Sequence, residues 1–159
     1  MKVLIDTNII LDILLERAPF LKDTVKLFEK IESNELKGFI TANSVTDIIY
    51  IARKKYWVNE IKVVILNLLN TIKIISIDEH DIIDALILDF SDFEDALQCQ
   101  CSIKAKMDYI ITRNEKDFKN SKIPAISTVQ LLNLLWIKIN LIFLFCLLTR
   151  CVTSVIIDI

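Results

Sequence analysis

The chain is predicted to be an α/β protein: a mostly parallel central sheet of four to five strands flanked by helices, followed by a hydrophobic C-terminal tail. Three observations predict it. Short runs of aliphatic and β-branched residues alternate along the chain with longer segments of helical periodicity, the pattern of a parallel sheet covered on both faces. The first of these runs, Val3-Leu4-Ile5, contains no polar residue, as expected of a strand buried on both sides. The length of 159 residues supports one sizeable core and would be cramped for two.

Each element has its own signal. Lys2 to Ile5 is the first strand; Asp6 ends it, Thr7 and Asn8 are suitable N-cap residues, and Ile9 to Leu15 reads as a largely buried helix. Ala18-Pro19-Phe20 forms a turn, with Pro19 placed to open a second helix over Phe20 to Glu32, whose apolar side is Phe20, Val25, Leu27, Phe28 and Ile31. Ser33-Asn34 breaks that helix. Gly38, the one glycine of the chain, leads into a second strand over Phe39 to Thr41. Asn43 or Ser44 caps a helix from Val45 to Lys55, and another runs from Val58 to Leu69. Lys73 to Ile77 is a third strand, followed by a helix from Glu79 to Leu88. Ser91 or Asp92 caps a helix through Lys106, Tyr109 to Ile111 is a fourth strand, and Thr112 to Phe118 a loop or single helical turn. Pro124 to Ile126 is a candidate fifth strand, and Thr128 begins a last helix.

Composition narrows the function. A net charge of −2 and a pI near 5.4 give no global field that would draw the protein to a polyanion, so any such partner needs a local basic patch or bound metal. With one glycine, neither a phosphate-cradling P-loop nor a dinucleotide fingerprint can be built. Cys99, Cys101, Cys146 and Cys151 include no C-x-x-C pair and read as thiols in a reducing compartment. Asp6 and Asn8 interrupt what would be the apolar core of a secretory signal, so none is expected and the predicted location is cytoplasmic. The mean hydropathy of +0.48 owes much to the tail, where Leu131 to Leu148 is apolar except for Asn133, Lys138 and Asn140. A membrane span takes about 20 mostly apolar residues, and a central Lys makes this one marginal. Packing against the domain or a second subunit is favoured over membrane anchoring, and Val152 to Ile159 is a candidate edge strand.

The acids are the informative feature. Asp6 follows the first strand, Asp47 lies in the first turn after the second, Asp92, Glu94 and Asp95 open the helix before the fourth, and Asp117 lies just beyond it. In a parallel sheet the segments following strands emerge at one edge, where α/β proteins bind ligands. Carboxylates gathered there raise one another's pKa unless a cation intervenes. Oxygen donors of this kind suit Mg²⁺ or Mn²⁺, able to activate water for attack on phosphorus. The alternative for each acid is helix capping, favoured for Asp92 and less so for Asp6, Asp47 and Asp95.

Four stretches carry a resemblance: Val3-Leu-Ile-Asp-Thr-Asn-Ile-Ile-Leu-Asp12, Ile40-Thr-Ala-Asn-Ser-Val-Thr-Asp-Ile-Ile-Tyr50, Asp92-Phe-Glu-Asp-Ala-Leu-Gln98 and Asp108-Tyr-Ile-Ile-Thr-Arg-Asn-Glu-Lys-Asp-Phe118. In order and spacing they resemble the motifs of PIN-domain (PilT N-terminus) ribonucleases, in a bacterial, VapC-like toxin branch. The resemblance covers residues 1–132, leaving 133–159 as a hydrophobic extension. It implies a metal-dependent endoribonuclease, the toxin of a toxin–antitoxin pair, with Mg²⁺ or Mn²⁺ as cofactor, RNA as substrate and an antitoxin protein as partner; a homodimer is expected as well, the apolar tail offering a surface for it. By position, Asp6, Asp47, Asp95 and Asp117 become the metal-binding and catalytic acids. Asp47 stands where many relatives have Glu, and Asn114 where some have Asp, which leaves Asp117 as the available fourth carboxylate. Asn8 would brace Asp6, Asp92 lies close enough to Asp95 to be confused with it, and Thr112 would orient a water or phosphate.

The remaining residues are weighed against blander roles. Arg113, with Lys104, Lys106, Lys116, Lys119 and Lys122, would form a basic rim suited to RNA, although each lysine alone more often serves solubility. Arg53, Lys54 and Lys55 cluster after the third helix. His80 reads as surface, Tyr56 and Trp57 as core or interface, and Asp12 as at most a supporting neighbour of Asp6. Two other classes of function remain. One is a PIN-like module that binds RNA or protein and has lost catalysis through the departures at Asp47 and Asn114. The other is a phosphatase-like hydrolase using Asp6, disfavoured because Asn8 replaces the second acid of the Asp-x-Asp such chemistry uses.

Overall fold

The computed structural model describes residues 1–138, 140 and 141. In chain order the elements are β1 (Lys2–Ile5), α1 (Thr7–Leu14), α2 (Leu21–Glu32), β2 (Lys37–Thr41), α3 (Ala42–Ala52) and α4 (Val58–Leu68). Then come β3 (Lys73–Ile75), α5 (Glu79–Leu86), α6 (Phe93–Lys104), β4 (Tyr109–Ile111), a 3₁₀ turn (Glu115–Phe118) and β5 (Ala125–Ile126). The strands form one sheet in the order β3-β2-β1-β4-β5, and all four pairings are parallel. The predicted α/β class with a flanked parallel sheet is therefore what the chain adopts. Contacts divide the chain into two units, Met1–Thr128 and Val129–Ile159, and the sheet belongs to the first.

β1 is central because its sequence permits burial on both faces. Val3, Leu4 and Ile5 are all fully buried, as are Ile110 and Ile111 of the neighbouring β4. Leu4 and Ile110 pack with Leu97 and Cys101 of α6, Ala85 of α5, and Phe118. β3, at the sheet edge, is three residues long, and Lys73 and Ile74 are exposed there. The ladder thus ends at Ile75, two residues short of the predicted Ile77.

Gly38 is the point of closest approach in β2. A Cβ built there would lie 2.8 Å from Ile31 Cδ1 of α2, 2.8 Å from Ile72 Cγ2 and 3.1 Å from Ile5 Cδ1. The first two distances are shorter than carbon atoms tolerate, so a side chain at this position forces the packed Ile31 and Ile72 side chains to shift. Gly38→Ala is expected to destabilise the protein by about 1–3 kcal/mol, the range for overpacking a core. A lower urea midpoint with an unchanged m-value is the signature to look for.

Several local expectations need correction. In α2 the buried positions are Thr24, Leu27, Phe28 and Ile31, whereas Phe20 and Val25 are each 41% exposed. The helix begins only at Leu21, so the inward stripe is narrower than the apolar composition suggests. Neither Asn43 nor Ser44 caps α3, which begins at Ala42. The Thr41 and Ser44 hydroxyls bond each other at 2.8 Å instead. Asp47 consequently sits in the second turn of α3. Trp57 is not a core residue: it stands at the N-cap of α4, its backbone N–H donating to Glu60 Oε2 at 2.9 Å, and it is 81% exposed. His80 is exposed, as expected.

In the second unit, residues 129–138 are helical, with Leu131 and Leu135 buried and Trp136 69% exposed. Most of the predicted apolar stretch 131–148, Cys146, Cys151 and the candidate strand 152–159 lie outside the described residues. Among the described residues, no helix is long and apolar enough to cross a membrane.

Candidate active site

The sheet order reverses at β1, with β2 and β3 on one side of it and β4 and β5 on the other. At such a switch point the chain leaves the carboxyl ends of adjacent strands in different directions and opens a crevice. Asp6 stands at that point, immediately after β1. Its backbone N–H donates to Ile111 O at 3.0 Å, which extends the pairing with β4 one residue past the strand.

The Asp6 carboxylate is 5% exposed and is held by donors from three directions. Thr112, just beyond β4, donates its hydroxyl to Oδ2 at 2.8 Å, and Gln98 Nε2 of α6 lies 3.4 Å from Oδ1. The backbone N–H of Asn8 donates to Oδ1 at 3.3 Å, so Asp6 is itself the N-cap of α1. The capping and functional readings of Asp6 are thus compatible. Thr7 and Asn8, read as caps, lie inside the helix. The Asn8 side chain turns away from Asp6, its Oδ1 standing 3.5 Å from both Arg17 Nη1 and Arg113 Nη2. Thr112 spends its proton on Asp6, and its oxygen accepts the backbone N–H of Asn114 at 3.0 Å.

A second carboxylate shares these donors. Glu94 Oε1 accepts from Thr7 Oγ1 at 2.7 Å and from Gln98 Nε2 at 3.2 Å. Behind Thr7 lies Ser44 Oγ, 3.0 Å away and itself bonded to Thr41. Gln98 is 1% exposed and its single amide group bridges Asp6 and Glu94, holding the ends of β1 and α6 together. Burial pushes the Glu94 carboxyl above its ordinary range, and the charges of Asp47 and Asp6 push it further. Asp95 is raised to about 7, by burial first and then by Asp6, Asp92, Asp117 and Glu94.

These couplings draw Asp6, Asp47, Glu94, Asp95 and Asp117 into one electrostatic neighbourhood. Asp47 is half-buried, with Asn43 Nδ2 3.5 Å from its Oδ2. Asp117 is exposed on the 3₁₀ turn and, with Arg113, Asn114, Glu115 and Lys116, lines a groove of about 640 Å³. Asp92 caps α6, its carboxylate accepting from Glu94 N at 2.7 Å. Asn114 is exposed at the N-cap of the 3₁₀ turn. Lys104, read as part of a basic rim, is instead paired with Asp78 and Asp81 between α5 and α6.

The donor set suits a hard divalent cation: all its members are carboxylate oxygens, and burial followed by neighbouring negative charge holds two of them, Glu94 and Asp95, above the ordinary carboxylate range. The side chains are not closed around a point, however. Among the described residues no three His, Cys, Asp or Glu groups are gathered tightly enough to hold an ion as they stand. The main omission from the sequence-based site is Glu94, with its partners Thr7 and Gln98. The signal was available, because Glu94 and Gln98 are four residues apart in one helix and share a face.

A family model described as PIN domain matches residues 2–116. Among curated proteins no sequence matches the chain. Solved structures share the fold. A chain of VapBC2 from Rickettsia felis, bound to a promoter DNA fragment, superposes with a TM-score of 0.64 at 15% identity, covering 80% of this chain and 98% of that one. A toxin–antitoxin complex from Klebsiella pneumoniae gives 0.60 at 22% identity, covering 79% and 97%. FitAB bound to an IR36 DNA fragment gives 0.59 at 16% identity, covering 79% and 94%.

Proposed function

The chain belongs to the PIN domain family, and on that premise we propose that it is a Mg²⁺- or Mn²⁺-dependent endoribonuclease, the toxin of a toxin–antitoxin pair. The observation that carries this reading is the set of carboxylates around Asp6 at the switch point, with Asp95 raised to about 7 by burial and neighbouring charge. Asp6, Glu94 and Asp95 are the side chains that would hold the ion, with Asp47 and Asp117 at its margin. When bound, such an ion supplies the positive charge that activates water for attack at phosphorus and stabilises the leaving oxygen. The chain's own contribution is orientation. Thr112 and Gln98 fix the two oxygens of Asp6, and Thr7 and Gln98 fix Glu94, so the acids are held in place before substrate arrives.

The toxin role and the antitoxin partner are supported by the structural neighbours, two of which are described as a toxin–antitoxin complex and as a VapBC pair. The test is cleavage of a labelled single-stranded RNA by the full chain with Mn²⁺, beside parallel reactions in EDTA and with a DNA oligonucleotide of the same sequence. Cutting of RNA in Mn²⁺ alone is expected. RNA binding without cutting under any divalent ion would leave a PIN-like binding module instead.

A further inference from the structure

Beside the acidic crevice lies a second charged cluster whose composition the metal site does not explain. Asp12 of α1 is fully buried. Its Oδ1 accepts from Arg113 Nη1 at 3.0 Å and lies 3.9 Å from Arg17 Nη1, while its Oδ2 has no hydrogen-bond partner. The two arginine side chains keep 26% and 31% of their surface exposed. Asn8 Oδ1 stands 3.5 Å from both guanidinium groups, and the Arg113 guanidinium lies over the Phe20 ring at 4.5 Å.

We propose that Arg17 and Arg113, held by Asp12, form a two-guanidinium clamp for a backbone phosphate of single-stranded RNA next to the bond that is cut. This rests on the ribonuclease reading above and adds the part that binds substrate. One buried carboxylate neutralises one cation; here it faces two, so one guanidinium charge is not balanced by Asp12. Buried ion pairs contribute little net stability, and Arg113 alone bonds Asp12 directly, at 3.0 Å, while Arg17 stands off at 3.9 Å. The second is explained by an anion from outside. Guanidinium groups present forked N–H donors that match phosphate oxygens, and stacking on Phe20 fixes the plane of one fork.

The position fits as well. Arg113 directly follows Thr112, the donor to Asp6 Oδ2, and lines the same groove as Asp117. A phosphodiester chain entering a crevice of carboxylates is repelled there, and a fixed cation at its edge offsets that repulsion. Asp12 is a positioning residue in this account; only the arginines touch RNA.

The experiment measures binding of a fluorescein-labelled single-stranded RNA to the full chain in EDTA, across a series of salt concentrations. Arg17→Gln and Arg113→Gln are each expected to raise Kd several-fold. If one phosphate contact is lost, the slope of log affinity against log salt flattens by about 0.7. Arg113→Lys keeps the charge and the slope but loses the fork, and binds more weakly than the parent. Asp12→Asn leaves both cations present but unplaced, so affinity falls while the slope stays. Should Asp12→Asn fail to fold, the three arginine variants still decide. The Mn²⁺-induced rise in melting temperature should match the parent in Arg17→Gln, which isolates the clamp from the acids. Folded Arg17→Gln and Arg113→Gln proteins that bind RNA with the parent's affinity and salt slope would overturn the clamp. A parent that binds RNA with the expected slopes yet never cleaves would sink the ribonuclease reading and leave the clamp standing.

Discussion

Asp6→Asn is expected to abolish Mn²⁺-dependent RNA cleavage while leaving the fold and the RNA affinity in place. The substitution is nearly isosteric, and asparagine caps helices as well as aspartate does, so the start of α1 is retained. What is lost is the charge at the one carboxylate that sits on the switch point and takes donors from β4, α6 and α1 together. Comparison with its supports calibrates the effect. Thr112→Val and Gln98→Ala remove groups that orient Asp6 rather than the acid, and changes of that kind typically reduce metal affinity or activity about 10–100-fold. Asp6→Asn should exceed both. Steady-state cleavage at saturating Mn²⁺, with circular dichroism to verify folding, makes the comparison. An Asn variant that cuts within about 10-fold of the parent, no worse than loss of a supporting group, means that Asp6 is a cap and nothing more.

Asp95→Asn should act in opposite directions on stability and on metal binding. In the folded protein Asp95 titrates near 7 against an ordinary value of 3.8. A folded state that holds its proton more tightly than the unfolded chain loses stability as pH rises between those two values. Below about pH 4 both states are protonated and the penalty is absent; above 7 it is complete. The metal-free parent should therefore melt at a lower temperature at pH 8 than at pH 5, as far as this group is concerned. Asp95→Asn removes the penalty, so it should melt higher than the parent at pH 8 and close to it at pH 4. Addition of Mn²⁺ at pH 8 reverses the ranking. The parent gains about 2.7 kcal/mol at 100 times Kd, while the variant, missing a ligand, gains little. Melting curves at two pH values with and without Mn²⁺ give all the numbers. Equal Mn²⁺ stabilisation of both proteins would remove Asp95 from the ligand set.

Some of this was written in short stretches of sequence. Val3 to Ile5 reads as a doubly buried strand because its three side chains are all apolar, and all three are fully buried in β1. The alternation of strands and helices fixes parallel pairing, since a strand followed by a crossover helix returns in the same direction. Asp92 reads as a cap from its place before Phe93 and is one. Such features depend on residues within a turn or a strand of each other, and the information is therefore local.

The tertiary structure decided what depends on distant residues meeting. Asp6 is oriented by Thr112, 106 residues away, and by Gln98, 92 away, and no periodicity announces either contact. Glu94 enters the site because Thr7, 87 residues earlier, ends beneath it. Asp12, one turn and a half past Asp6, looked like a minor neighbour of the acids and is the buried counter-ion of Arg113, 101 residues on. Trp57, the kind of residue that belongs in a core, stands 81% exposed at the start of its helix. The sequence alone determined the sheet, the order of its elements and the acid at the end of β1. Which side chains share that acid's crevice was set by tertiary packing: the pairing of β1 with β4 brings Thr112 within hydrogen-bond reach of Asp6, and the docking of α6 brings Gln98 there.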